Sequence, residues 1–150
     1  MLLPIKPCNP NFIPPVYSTE GAAAFDLFSP TDIIIHRQET VLVHLGFKAE
    51  VPSGHVALLV TRSGLGCKQG LGLRNQVGVI DSDYRGEWMA QISMDSFQNH
   101  NHNNPTTTRI PQGARFLQCL IVPVTQVTFD IVPELTDTDR GDGGLGSTGA

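Results

Sequence analysis

Residues 40–47 read TVLVHLGF. Val41, Val43, Leu45 and Phe47 alternate with Thr40, Leu42, His44 and Gly46, which approximates the period of a half-buried β-strand. Outward from this stretch, short β-prone runs recur at 33–35, 55–60, 88–94 and 116–129, the last broken by Pro123, and Gly, Pro, Asn or Asp bound each of them. No run carries a long apolar stripe at helical spacing, and the pattern leaves room for one short helix around 63–70. Fifteen glycines and eleven prolines are spread along the 150 residues, as turns between short elements would be. With 40% hydrophobic residues the chain can fill a single core, so one all-β domain is expected, a sandwich, barrel or jelly roll.

A formal net charge of −4 argues against general binding to nucleic acid or to an anionic membrane surface, so a polyanionic ligand must be held by local donors or a divalent cation. Cys8, Cys67 and Cys119 are odd in number, widely separated and without metal-ligand spacing, which reads as free thiols in a reducing compartment. The opening MLLPIKPCNPNFIPP has no sustained apolar run, and nothing approaches a membrane span, so an intracellular protein, cytoplasmic or nuclear, is expected. The polar stretch 97–105 is expected as a surface loop. Its His100 and His102 could share a strand face and hold a metal, but imidazoles in an exposed loop are more often solvated.

Polar chemistry concentrates in a few clusters. In VGVIDSDYRGE, 77–87, an apolar run leads into Asp81 and Asp83, then Tyr84, Arg85 and Gly86. A plain hairpin turn explains these residues. So does a catalytic reading, in which a carboxylate at a strand end is partly desolvated and made basic enough to activate a water. TRSGLG, 61–66, places a charged fork, a hydroxyl and unhindered backbone N–H groups at a strand end, and a following helix N-terminus would add to an anion site. In GAAAFDLFSP, 21–30, Asp26 is the one carboxylate of an apolar stretch, either capping a turn or serving as an outer partner of hydrated Mg²⁺. The ending RGDGGLGSTGA, 140–150, is either a frayed tail or a flexible phosphate clamp built on closely spaced glycines.

Taken in order, the Asp26 segment, RSG, the apolar run into DSDYRGE, then GARFLQ and the final RGDGGLGSTG resemble the five-motif pattern of the homotrimeric dUTPases over residues 21–150. The resemblance implies a β jelly-roll barrel over 1–133 and a glycine-rich arm over 134–150 that closes over an active site. It also implies a homotrimer with active sites between subunits, hydrolysing dUTP to dUMP and pyrophosphate with Mg²⁺. That reaction limits uracil in DNA and supplies dUMP for thymidylate synthesis.

By the same likeness Asp81 is the general base acting on the attacking water, and Gln118 and Arg62 complete the catalytic set. Ser63 and Gly64 bind phosphate, and Asp26 holds Mg²⁺ through water. The hairpin carrying Asn75, Gly78 and Ile80 reads uracil, while Tyr84 packs under the deoxyribose and excludes a 2′-hydroxyl. Arg140, Gly146, Ser147 and Thr148 grip the β- and γ-phosphates. Leu145 stands where the family usually has Phe, and losing a base–aromatic stack costs roughly 1–3 kcal/mol, so a raised KM is expected. Ala24 and Thr61 replace the more usual Gly and Pro, changes the backbone tolerates. The rival readings are a catalytically reduced binding or signalling module of the same fold, a dCTP deaminase, and a capsid-like jelly roll. The first predicts erosion at Asp81, Arg62 or the arm, and all three are intact.

Overall fold

The computed structural model describes residues 1–94 and 106–144. Twelve strands and one helix follow in order among these residues: β1 (Ile5–Pro7), β2 (Val16–Tyr17), β3 (Phe25–Phe28), β4 (Ile33–His36), β5 (Thr40–His44), β6 (Phe47–Ala49), β7 (His55–Thr61), α1 (Ser63–Gln69), β8 (Leu71–Leu73), β9 (Gly78–Ile80), β10 (Met89–Met94), β11 (Thr107–Ile110) and β12 (Arg115–Pro123). The all-β expectation holds, and α1 occupies the place left for a short helix. All described pairings are antiparallel, and they form four sheets, β2-β3-β12-β7-β9, β5-β10-β8, β11-β4 and β1-β6, without closing into one barrel.

The 40–47 stretch keeps its alternation but not its continuity. Val43, Leu45 and Phe47 are buried while Leu42 and His44 face out, yet the strand divides into β5 and β6 at Leu45–Gly46. Gly46 adopts φ +79, a left-handed conformation that costs a side-chain-bearing residue, and its carbonyl accepts N–H bonds from Cys8 at 2.7 Å and Asn9 at 3.1 Å. The chain therefore turns here and feeds β6 to β1.

One core joins residues from most strands, with Trp88, Phe116, Leu27, Ile35 and Leu59 among its fully buried side chains. Phe47 lies 5.1 Å from Trp88 and 5.5 Å from Phe12 between ring centroids, an aromatic group that joins β6 to the segment preceding β10.

Strand β12 is the spine of the five-stranded sheet, pairing β3 on one side and β7 on the other. Its register shifts between Arg115 and Leu117, a β-bulge that makes Phe116 the extra residue. Phe116 and Leu117 are consequently both buried, although neighbours in a regular strand face opposite ways. The strand expected to run on to Phe129 ends at Pro123, and residues 124–142 are exposed and outside any strand. Strands β1, β2, β3, β8 and β11, each of two to four residues, are too short for the periodic pattern to single out. No helix of the described residues is long and apolar enough to cross a membrane.

Candidate active site

A cleft of about 820 Å³ opens on one face of the five-stranded sheet. Its wall begins as a row of cross-strand partners: Asp26 on β3 faces Gln118 on β12, which faces Val60 on β7. Arg62 lies two residues beyond Val60 and returns to the same face. Just after it, α1 brings Ser63, Gly64 and Leu65 to the rim. The first N–H groups of a helix lack intrahelical acceptors, and a side chain at Gly64 would project into open space. Ala22, Ala23 and Ala24 also line the cleft, with minimal bulk.

Asp26 is buried at the centre of a polar cluster. Arg62 Nε lies 3.0 Å from its Oδ1, and Arg115 Nη1 lies 3.2 Å from its Oδ2. Ser18 Oγ donates to the same Oδ2 at 2.7 Å, and Arg115 Nη1 also donates to Ser18 Oγ at 3.0 Å. Ser18 and Arg115 were not singled out from sequence. Arg115 stands in GARFLQ, three residues from Gln118, a spacing that puts two side chains on opposite faces of a regular strand. The bulge at Phe116 removes that difference, and both residues line the cleft.

Asp81, Tyr84, Asn75, Gly78 and Ile80 lie elsewhere and line no part of this cleft. Strand β9 is the sheet edge, with Ile80 opposite Ala57 and Gly78 opposite Leu59 on β7. Asp81 thus continues toward the His55 end of β7, away from Arg62. From Ala57 to Arg62 is five residues, or roughly 16 Å at a strand's rise. Asp81 is exposed, so the single chain does not supply the desolvation expected of a base at a strand end.

The turn that follows is held firmly. Tyr84 N–H donates to Asp81 C=O at 3.2 Å, Tyr84 Oη donates to Glu87 C=O at 3.0 Å, and Arg85 Nη1 donates to Ser82 C=O at 2.7 Å. The Tyr84 ring lies across Gly86 so closely that a Cβ there would collide with the ring and its hydroxyl. Gly86 is therefore required for this tyrosine placement.

Arg140 sits in a turn of the exposed arm, its Nε donating to Gly143 C=O at 2.8 Å, and does not line the cleft. Leu145, Gly146, Ser147 and Thr148, and the loop with His100 and His102, lie outside the described residues. Among those described, no group of three or more His, Cys, Asp and Glu residues could hold a metal ion. Among the described residues, Asp26 is the only carboxylate lining the cleft. Three of a carboxylate's roughly four acceptor positions are taken there, two of them by arginine. Such a donor set does not fit a metal ion bound directly to the protein, and leaves one acceptor for a metal-bound water.

Burial pushes the Cys119 thiol up from 9.0 to about 12, so it is an inert core group beside Gln118.

A dUTPase family model matches residues 11–149. The deoxyuridine 5'-triphosphate nucleotidohydrolase of Nautilia profundicola is 41% identical over 149 residues, with 99% of each chain covered. The solved structure of Staphylococcus bacteriophage 80alpha dUTPase with dUPNHPP is similar at a TM-score of 0.87 and 25% identity, covering 99% of both chains. A dUTPase from phage phi11 of S. aureus, described with a structural Mg(II) ion, shares the fold at a TM-score of 0.78 and 22% identity, covering 89% of this chain and 98% of that one.

Proposed function

This chain belongs to the dUTPase family, and on that premise we propose that the cleft is the phosphate-binding part of a dUTP diphosphatase site that Asp81 and Tyr84 of a neighbouring protomer complete. The observation that carries this reading is the separation along β7. Arg62 and Gln118 meet in one cleft, while Asp81 leaves the far end of the same strand. A base must come within hydrogen-bond reach of its water, and a gap of roughly 16 Å within one chain forbids that. A second copy removes the gap.

The segment that follows β12 supports association as well. Val127, Phe129 and Ile131 alternate with Thr128 and Asp130, the pattern of a half-buried strand, yet they are 65, 88 and 97% exposed in the single chain. Packing of this segment against neighbours in a homotrimer would bury it.

In the assembled site, Arg62 and the backbone N–H groups of Ser63 and Gly64 hold the triphosphate. Asp81 takes a proton from a water oriented by the Gln118 amide. The water oxygen attacks the α-phosphorus as the bond from that phosphorus to the α–β bridging oxygen breaks, giving dUMP and pyrophosphate. Tyr84 closes against the deoxyribose, and the strand edge from Asn75 through Gly78 and Ile80 presents backbone groups to uracil. Arg140 with Leu145, Gly146, Ser147 and Thr148 covers the phosphates and base, excluding bulk water. Mg²⁺, when bound with the nucleotide, would neutralise charge on the phosphates, and Asp26 would hold it through one of its waters. The arm, assigned to 134–150, is the part that closes.

Pyrophosphate release from dUTP, compared with the other deoxynucleoside triphosphates, tests this reading. Wild-type protein should be selective for dUTP. Asp81→Asn should lower kcat by about 10²–10⁴-fold, the usual worth of a general base. Wild-type protein that releases no pyrophosphate from dUTP defeats the proposal.

A further inference from the structure

We propose that Glu87 is a positioning residue for Tyr84: its carboxylate fixes the main-chain carbonyl that holds the tyrosine hydroxyl, and so sets the preference for deoxyribose over ribose. This rests on the reading that Tyr84 closes against the sugar. Glu87 lines no part of the cleft, yet both oxygens of its half-buried carboxylate are engaged. Gly46 N–H donates to Oε1 at 3.1 Å, and His44 Nδ1 lies 2.9 Å from Oε2. An ionised carboxylate only accepts, so that ring nitrogen carries the hydrogen.

Gly46 is a fixed point of the fold. It is buried at φ +79, an added Cβ would lie 2.9 Å from Asn9 Cβ, and its carbonyl accepts from Cys8 and Asn9. A buried N–H requires an acceptor, and Glu87 supplies it from 41 residues away in the chain. The next residue is tied to the same place, with Trp88 N–H donating to Phe47 C=O and Leu45 N–H donating to Trp88 C=O, each at 2.9 Å. Glu87 C=O and Trp88 N–H belong to one planar peptide, so these bonds and the Glu87 side chain together set where the carbonyl points. Tyr84 Oη donates to that carbonyl at 3.0 Å, and its ring lies across Gly86 without room for a Cβ. A shift of the carbonyl therefore carries the ring with it, and a displaced ring leaves room for a 2′-hydroxyl.

The test is the ratio of kcat/KM for dUTP to that for UTP, measured on the full chain by pyrophosphate release. It compares wild type, Glu87→Ala, Glu87→Gln, His44→Ala, Tyr84→Phe and the Tyr84→Phe/Glu87→Ala pair. Glu87→Ala should lower the dUTP preference about tenfold. Glu87→Gln should keep it within about threefold of wild type, since its amide oxygen still accepts from Gly46. The pair should match Tyr84→Phe alone within about twofold, because Glu87 acts through the tyrosine hydroxyl.

A role in stability alone would lower turnover of both nucleotides together and leave their ratio in place. An unchanged ratio in Glu87→Ala, no rescue by Glu87→Gln, or full additivity with Tyr84→Phe overturns the proposal. If Glu87→Ala does not fold, His44→Ala decides it: a lowered dUTP preference supports the positioning role, and an unchanged one refutes it. A wild type that hydrolyses dUTP and UTP equally would count instead against Tyr84 as the reader of the sugar.

Discussion

Mixing two inactive variants measures directly whether one catalytic site draws on two protomers. Arg62 follows the C-terminal end of β7, and Asp81 follows Ile80, which pairs with Ala57 near the other end. Ala57 and Arg62 are five residues apart, roughly 16 Å at a rise of about 3.3 Å, so Arg62 and Asp81 are at least that far apart along the strand, several times the reach of a hydrogen bond. A site using both must take Asp81 from one chain and Arg62 from another. Asp81→Asn and Arg62→Gln trimers should each be nearly inactive. When the two are denatured and refolded together in equal amounts, a site is intact if its Asp81 comes from the Arg62 variant and its Arg62 from the Asp81 variant. Each choice has even odds, so about a quarter of sites recover in a randomly mixed closed oligomer. Pyrophosphate release should therefore rise to about a quarter of wild-type kcat after refolding, while simple mixing of folded proteins gives less. Activity that stays at the level of the separate variants, with mixed trimers confirmed by native mass spectrometry, refutes the two-protomer site.

Gly86→Ala should dislodge the Tyr84 ring and lower dUTP turnover while leaving the melting temperature within a few degrees, and Tyr84→Ala should raise the UTP-to-dUTP rate ratio; an unchanged ratio shows the sugar is read elsewhere. Deleting residues 140–150 should leave a folded trimer with severely reduced turnover, checked by light scattering and steady-state kinetics, and near-normal kcat would assign the tail no role in catalysis. At pH 8, iodoacetamide should label Cys8 and Cys67 in the native protein and spare buried Cys119, a pattern read by peptide mass spectrometry. The Cys119 thiol also sets a pH dependence. Its folded value, about 12, exceeds the ordinary 9.0, so the unfolded chain releases this proton first. Its contribution to stability is full below pH 9 and declines between pH 9 and 12, by up to about 1.4 kcal/mol per pH unit. Cys119→Ala should flatten that part of the denaturation profile, and an unaltered slope contradicts the assignment.

What the sequence by itself determined was local. The alternation through Val41, Val43, Leu45 and Phe47 announced sheet structure, and its burial pattern survives even though Gly46 splits the strand. The run ending at Ile80 and the short helix after Arg62 were likewise legible, because side-chain period and turn residues act over a few neighbours. Their motif order also pointed to the family.

The tertiary structure alone decided which of those residues share a site. Strand period sets Arg115 and Gln118 on opposite faces, and only the register of β12 against β3 reveals that Phe116 bulges and brings them together. The burial of Asp26 between two arginines depends on pairing β3 with β12 and β12 with β7, contacts between residues far apart in the chain. The same register sends Asp81 away from Arg62. Periodicity records which way a side chain points, whereas proximity comes from strand pairing, and pairing is a property of the whole folded sheet.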